Sequence, residues 1–138
     1  DAKRKEDAVQ IRTALELYYN DNGSYPLPYP GWWSGVSTGV CGPGNGTTSG
    51  ANAYISGLTP TYIPVLPTDP GSPGDCQGYL YASNGTNYKV LVHASAESYP
   101  SAGQPFFDAC RPTWSWMITS NSAVTSTPDG TGWGPNCW

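Results

Sequence analysis

The first apolar residues of the chain are spaced as on one face of a helix. Four of them are separated by three, four and three positions: Ala8, Ile11, Leu15 and Tyr18. This spacing aligns them in one stripe, and polar residues occupy the other side. The pattern predicts an amphipathic helix over residues 1–20. Asp21 and Asn22 then lead to Gly23, which suits the left-handed position that follows a helix.

Residues 24–73 contain too many prolines for long regular elements. Nine prolines interrupt this stretch, among them Pro26, Pro28, Pro30, Pro60, Pro64, Pro67, Pro70 and Pro73. Short pieces such as Ala53–Leu58 are candidates for a turn of helix. So long an irregular stretch is uncommon inside a compact domain unless it is functional or held by other constraints. Cys41 and Cys76 are candidates to hold it.

A β-sheet is predicted from Tyr79 onward. Two runs rich in aromatic and β-branched residues, 79–82 and 87–93, flank Asn84-Gly85, and an Asn-Gly between two such runs predicts a hairpin. A third strand is predicted over 113–119, with Trp114, Trp116 and Ile118 on one face. One long helix, an irregular stretch and then antiparallel strands indicate the α+β class.

Composition changes the picture of the core. Only 20 of the 138 residues are Leu, Ile, Val or Phe, whereas the chain has ten Tyr, six Trp and four Cys. Charged residues make only 12% of the chain, so disorder is not expected. The core is therefore predicted to depend on aromatic side chains and disulfides. The net charge of −4, with six Lys and Arg in total, argues against a nucleic-acid partner.

The cysteines favour two disulfides over a zinc site. They are widely spaced, with no close pair: Cys41, Cys76, Cys110 and Cys137. A zinc site needs close pairs and usually histidine, and His93 is the single histidine of the chain. Two disulfides place the protein in an oxidising compartment outside the cytoplasm. The spacing alone leaves three connectivities open.

Candidate catalytic residues are few. His93 lies in a predicted strand without a nucleophile motif nearby, which favours a structural role. Five carboxylates are available for acid–base chemistry, but their spacing nominates no pair: Asp69, Asp75, Glu97, Asp108 and Asp129. The loop aspartates and Asn136 carry oxygens suited to calcium, yet no calcium motif is present. We therefore expect no catalytic residue, no metal, no cofactor and no enzymatic activity.

Tryptophans in loops are the remaining candidates for binding a ligand or a partner. Trp32, Trp33 and Trp133 lie in Gly/Pro-rich segments, where an exposed indole can stack on a sugar or enter a partner interface. The alternative is burial, because a chain so poor in aliphatic residues needs its aromatic side chains in the core.

Three segments in order resemble type IV pilins and the pseudopilins of type II secretion. The first runs from Asp1-Ala2-Lys3-Arg4-Lys5-Glu6-Asp7 through Ile11-Arg12-Thr13-Ala14-Leu15-Glu16-Leu17-Tyr18-Tyr19 to Asn22-Gly23-Ser24-Tyr25-Pro26. The second contains Leu58, Tyr62-Ile63-Pro64, Leu66-Pro67 and Asp69-Pro70, and the third Tyr79-Leu80-Tyr81, Gly85 and Tyr88-Lys89-Val90. They cover roughly residues 1–26 and 58–93. The part from Tyr99 onward matches no family-wide motif.

The resemblance implies a single pilin-like domain, 1–138, in which a long helix packs on a small antiparallel sheet. Residues 1–22 would be the second half of the pilin helix, preceded by an apolar half that anchors the subunit in the inner membrane. Residues 23–77 would form the irregular region between helix and sheet, 78–119 the sheet, and 120–138 a loop closed by a disulfide.

The resemblance also implies roles for particular residues. In the subunit-packing helix, the stripe of Ala8, Ile11, Leu15 and Tyr18 would lie on the sheet, and the other side would meet neighbouring subunits. A C-terminal disulfide is common in pilins, which favours the pairs Cys41–Cys76 and Cys110–Cys137.

The function implied by the resemblance is that of a structural subunit. It would form a homo-oligomeric helical filament on the bacterial surface, assembled by pilus or secretion machinery. One alternative is a periplasmic pseudopilin of type II secretion. Another is a minor pilin or adhesin that binds glycans through Trp32, Trp33 and Trp133.

Overall fold

The computed structural model describes residues 1–28, 33–36, 44–71, 77–121 and 137. It begins with helix α1, Ala2–Asn22, which confirms the predicted helix and extends it by two residues. Gly23 follows in the left-handed conformation, φ 74°, and its N–H donates to the carbonyl of Tyr19 at 2.8 Å. A side chain with Cβ would be strained there, so glycine fixes the end of the helix.

Helix α1 buries the predicted apolar stripe, but its buried face also contains charged residues and its exposed face also contains apolar ones. Ala8, Ile11 and Leu15 are buried in the core, and Tyr18 packs against it. Arg4 and Asp7 are buried on this inner face as well, because each has a partner elsewhere in the fold. Conversely, three large hydrophobic side chains of the helix are exposed: Val9, Leu17 and Tyr19.

The sheet has the strand order β2-β1-β3-β4-β5. Strands β3 (Gly78–Ser83) and β4 (Tyr88–His93) form the predicted hairpin around Asn84-Gly85. Strand β5 (Ser115–Thr119) pairs antiparallel with β4, as expected. The class is therefore α+β.

Two short strands in the irregular region were not predicted. Strand β1 (Trp33–Gly35) pairs antiparallel with β3, and β2 (Gly44–Asn45) lies parallel to β1 at the sheet edge. Their two or three residues are too short for an alternating pattern to be visible in the sequence. The candidate helical turn at 53–58 is absent, and a 3-10 turn occupies Gly50–Asn52 just before it.

Tyrosine rings fill the space between the helix and the sheet, which confirms the aromatic core. Tyr25 lies between Tyr19 and Tyr88, with ring centres 4.6 and 4.7 Å away. The hydroxyls are satisfied at the core boundary: Tyr81 donates to the Pro26 carbonyl, and Tyr54 to that of Pro67. Within the described residues, no helix combines the length and apolar character needed to cross a membrane.

Both faces of the central strands are covered. Tyr81, Val90 and Ile118 face the helix. Lys89, the neighbour of Val90 in β4, points to the opposite face of the sheet. Its side chain is completely buried there, near Asp108. Strands β3 and β4 are consequently buried along their whole length.

Strand β5 is shorter than the strand predicted over residues 113–119. It begins at Ser115, because residues 111–114 form a turn in which the Ser115 N–H donates to the Arg111 carbonyl. Trp114 is therefore outside the strand, and its expected place beside Trp116 was wrong. Its ring instead contacts His93, with ring centres 5.0 Å apart.

Candidate functional site

A disulfide joins Cys110 and Cys137, whose Cα atoms are 5.8 Å apart. This confirms the C-terminal pair that the resemblance implied. Both cysteines are buried, and the bond brings residue 137 to the turn that precedes β5. Cys41 and Cys76 lie outside the described residues.

Three charged side chains are completely buried beside this disulfide. Arg111 Nη1 donates to Asp108 Oδ2 at 3.2 Å, and Lys89 Nζ lies 4.0 Å from Asp108 Oδ1. Arg111 also donates to the carbonyl of Cys137. Burial lowers the pKa of Lys89 to about 7; Asp108 opposes this shift and Arg111 adds to it. The cluster fastens the C-terminal disulfide to the second face of the sheet.

A second buried ion pair fixes the start of α1. Arg4 Nε and Nη2 donate to the two carboxylate oxygens of Asp69, at 3.0 and 2.8 Å. Asp69 also accepts from the Ser95 hydroxyl at 2.6 Å and from the Gly71 N–H at 2.9 Å. Burial alone would raise the pKa of Asp69, but these donors hold it below its usual value.

Two further carboxylates of the helix bind the rest of the domain. Asp1 accepts from the N–H groups of Glu97 and Ser98, at 2.8 and 3.0 Å. Asp7 accepts from Lys3 Nζ at 2.5 Å and from the Tyr79 hydroxyl at 2.6 Å. The first two turns of α1 are thus attached to β3 and to the segment that follows β4.

The candidate catalytic and metal-binding residues are not brought together. Asp69 and Asp108 serve the two buried ion pairs, Glu97 is largely exposed, and His93 is buried against Trp114. Asp75, Asp129 and Asn136 lie outside the described residues. In the part of the chain that the structure describes, no three His, Cys, Asp or Glu side chains are grouped as a metal site needs.

Of the candidate ligand-binding tryptophans, only Trp33 lies in the described part of the chain. It is half-buried, and the Arg111 guanidinium lies 5.7 Å from the centre of its ring. Trp33 therefore covers the buried charge cluster. Trp32 and Trp133 are outside the described residues.

A pocket of about 510 Å³ opens between the start of α1, strand β5 and the segment between β4 and β5. Its walls carry three aromatic side chains, two prolines and three polar residues: Tyr99, Phe106, Trp116, Pro100, Pro105, Lys5, Ser98 and Gln104. Sequence analysis missed it. The two aromatic–proline pairs, Tyr99-Pro100 and Pro105-Phe106, were the available signal, but nothing in the sequence places them beside Lys5.

Comparisons with protein-family models, with curated proteins and with solved structures give no match to this chain.

Proposed function

We propose that this protein is the globular domain of a filament subunit, a type IV pilin or a close functional equivalent, with a structural role. The observation that carries the proposal is that helix α1 exposes three large hydrophobic side chains among the polar residues of its outer side. Its inner side is buried on the sheet, while Val9, Leu17 and Tyr19 remain exposed. In the described part of the chain, these are three of the five large hydrophobic side chains that are exposed.

Exposed apolar side chains on a helix are costly for an isolated domain but useful in a polymer. Leu17 is 49% exposed and Val9 39%, and burial of such a side chain against a neighbour contributes about 1–2 kcal/mol. A filament repeats this contact at every subunit, so a modest gain per contact is sufficient. The outer side of α1 is therefore the proposed contact with neighbouring subunits.

A filament subunit also has to transmit load from its helix to its globular part. The Arg4–Asp69 pair and the two acceptors Asp1 and Asp7 connect the first two helical turns with three separate segments. The Cys110–Cys137 bond and the buried charge cluster secure the opposite side of the sheet. This reinforcement supports a surface-exposed pilus subunit in preference to a periplasmic pseudopilin.

The proposal is tested with Leu17→Glu in the protein's own bacterium, expressed from the whole gene. Introducing a charge into an apolar contact should lower the amount of this protein in sheared surface filaments about tenfold or more, at unchanged cellular level. Val65→Glu is the matched control, because Val65 is 53% exposed but lies outside the helix. Unchanged melting of the purified Leu17→Glu domain excludes misfolding. Equal amounts of both variants in the filaments would contradict the proposed contact.

A further inference from the structure

The pocket beside Lys5 has the dimensions and the rigidity of a binding site. Its volume of about 510 Å³ lies within the range of pockets that hold small ligands. Two hydrogen bonds hold the residues of its walls in place. Both use backbone groups or the buried indole N–H, so the polar side chains at the rim are not consumed by them. Trp116 Nε1 donates to the Ser98 carbonyl at 2.7 Å, and the Met117 N–H donates to the Phe106 carbonyl at 2.9 Å.

The aromatic walls are arranged around one corner of the pocket. The rings of Phe106 and Trp116 are stacked, with centres 5.8 Å apart. Trp116 is almost completely buried and forms the floor, whereas Tyr99 and Phe106 are partly exposed and can offer a ring face to a ligand. Such faces receive the C–H side of a sugar ring, which is apolar while its edge carries hydroxyls.

Lys5 has a different kind of partner from most cations of the chain. Lys3, Arg4 and Arg111 are each within 4.0 Å of a carboxylate. Lys5 forms no such pair with any carboxylate of the described residues; its ammonium lies 5.6 Å from the centre of the Trp116 ring. An exposed ammonium above an aromatic floor attracts an anionic ligand, and a small ligand can contact both.

The polar rim suits hydroxyl groups. Gln104 accepts the Ser101 N–H with Oε1 at 2.9 Å, and its amide nitrogen donates to no group in the described part of the chain. Gln104 and Ser98 both line the pocket, and the Ser98 hydroxyl donates to Asp1 Oδ2 at 3.4 Å. Together they provide a donor, the Gln104 amide, and an acceptor, the Ser98 hydroxyl oxygen, next to the aromatic faces.

We propose that this pocket binds an acidic saccharide, a sugar that bears a carboxylate, as in the sialic and uronic acid classes. The sugar ring stacks on Tyr99 and Phe106, its hydroxyls bond Gln104 and Ser98, and its carboxylate pairs with Lys5. A single cation in a chain of net charge −4 favours one carboxylate over a polyanion such as nucleic acid. The inference does not depend on whether the chain polymerises.

The test uses the purified 138-residue protein, with calorimetry and ligand-observed NMR. Sialyllactose is compared with lactose, and trigalacturonate with maltotriose, so that each acidic probe has a neutral partner. We expect saturable binding of at least one acidic probe, weakened by salt, and at least about tenfold weaker binding of its neutral partner.

Variants then locate the site. Lys5→Gln should weaken binding of the acidic probe about tenfold, and Tyr99→Ala should weaken it as well. Arg12→Gln is the matched control, because Arg12 is an exposed cation of the same helix that does not line the pocket. The proposal is overturned if no acidic probe binds, if the neutral partner binds equally well, or if Lys5→Gln binds like the parent. Equal melting temperatures exclude unfolding as the cause of a loss.

Discussion

Arg4 and Asp69 form a bidentate ion pair that joins the first turn of helix α1 to a loop 65 positions later in the chain. Their side chains are only 8% and 2% exposed, and Arg4 Nη1 also donates to a second carboxylate, Asp1 Oδ1, at 3.1 Å. The Arg4–Asp69 pair explains why Arg4 is found on the buried side of the helix; Asp7 is buried there through its bonds with Lys3 and the Tyr79 hydroxyl.

Breaking this pair should be expensive, because Arg4 would keep only the carboxylate of Asp1 and the buried Asp69 would keep only the neutral donors of Ser95 and Gly71. Asp69→Asn or Arg4→Met is expected to lower the free energy of unfolding by about 3 kcal/mol. Urea unfolding followed by circular dichroism measures this change. Arg12→Met, an exposed position on the same helix, should change the stability by less than about 0.5 kcal/mol. A loss below about 1 kcal/mol for both paired variants would show that the ion pair does not hold the helix.

Stability should rise with pH above neutrality because of Lys89. Its pKa is lowered to about 7 in the folded protein, against an ordinary value of 10.5. Between these values the unfolded chain binds one more proton than the folded protein, so raising the pH favours folding. The expected increase in unfolding free energy from pH 7 to pH 9 is about 2 kcal/mol.

Lys89→Met separates this contribution from that of other titrating groups. The apolar side chain removes the buried amine and leaves the Asp108–Arg111 pair intact, so the rise between the two pH values should largely disappear. The variant should also be at least as stable as the parent at neutral pH. Chemical unfolding at several pH values gives the comparison. A parent whose stability is flat or falls over this interval would contradict the lowered pKa of the buried Lys89 amine.

The Cys110–Cys137 bond should contribute strongly to stability. It closes a loop with a sequence separation of 27, for which chain entropy predicts about 3–4 kcal/mol. Replacing both cysteines by serine should cost at least this amount, because Arg111 would also lose its fixed acceptor at Cys137. Thermal unfolding of the double variant measures the effect. Peptide mapping without reduction provides an independent check, and a free thiol at either position would contradict the pairing.

Local signals in the sequence were sufficient for the main elements. The apolar spacing of α1, its Gly23 stop and the Asn84-Gly85 hairpin all depend on neighbours within a few positions, and the structure has each of them. The aromatic core also follows from composition alone. These features were predictable because propensity, turn chemistry and periodicity agree.

Long-range relationships were not predictable in the same way. Asp69 was interpreted as a loop carboxylate, and nothing near it in sequence points to Arg4. The side chain of Lys89 lies on the face of the sheet opposite helix α1. Its burial there depends on Asp108 and on the C-terminal disulfide. The pocket likewise requires Lys5 and Tyr99 to meet across the fold. Each of these contacts is decided by tertiary packing, which a single sequence does not encode in any local pattern.

The measurement that tests the central claim most directly is the protein composition of surface filaments. Surface material sheared from the organism that encodes this chain is purified, imaged by electron microscopy after labelling with antibodies against the domain, and analysed by mass spectrometry. Our account predicts regular labelling along thin fibres and peptides of this chain as a main component. Labelling confined to the cell envelope, or the protein recovered only as a released monomer, would contradict the filament role.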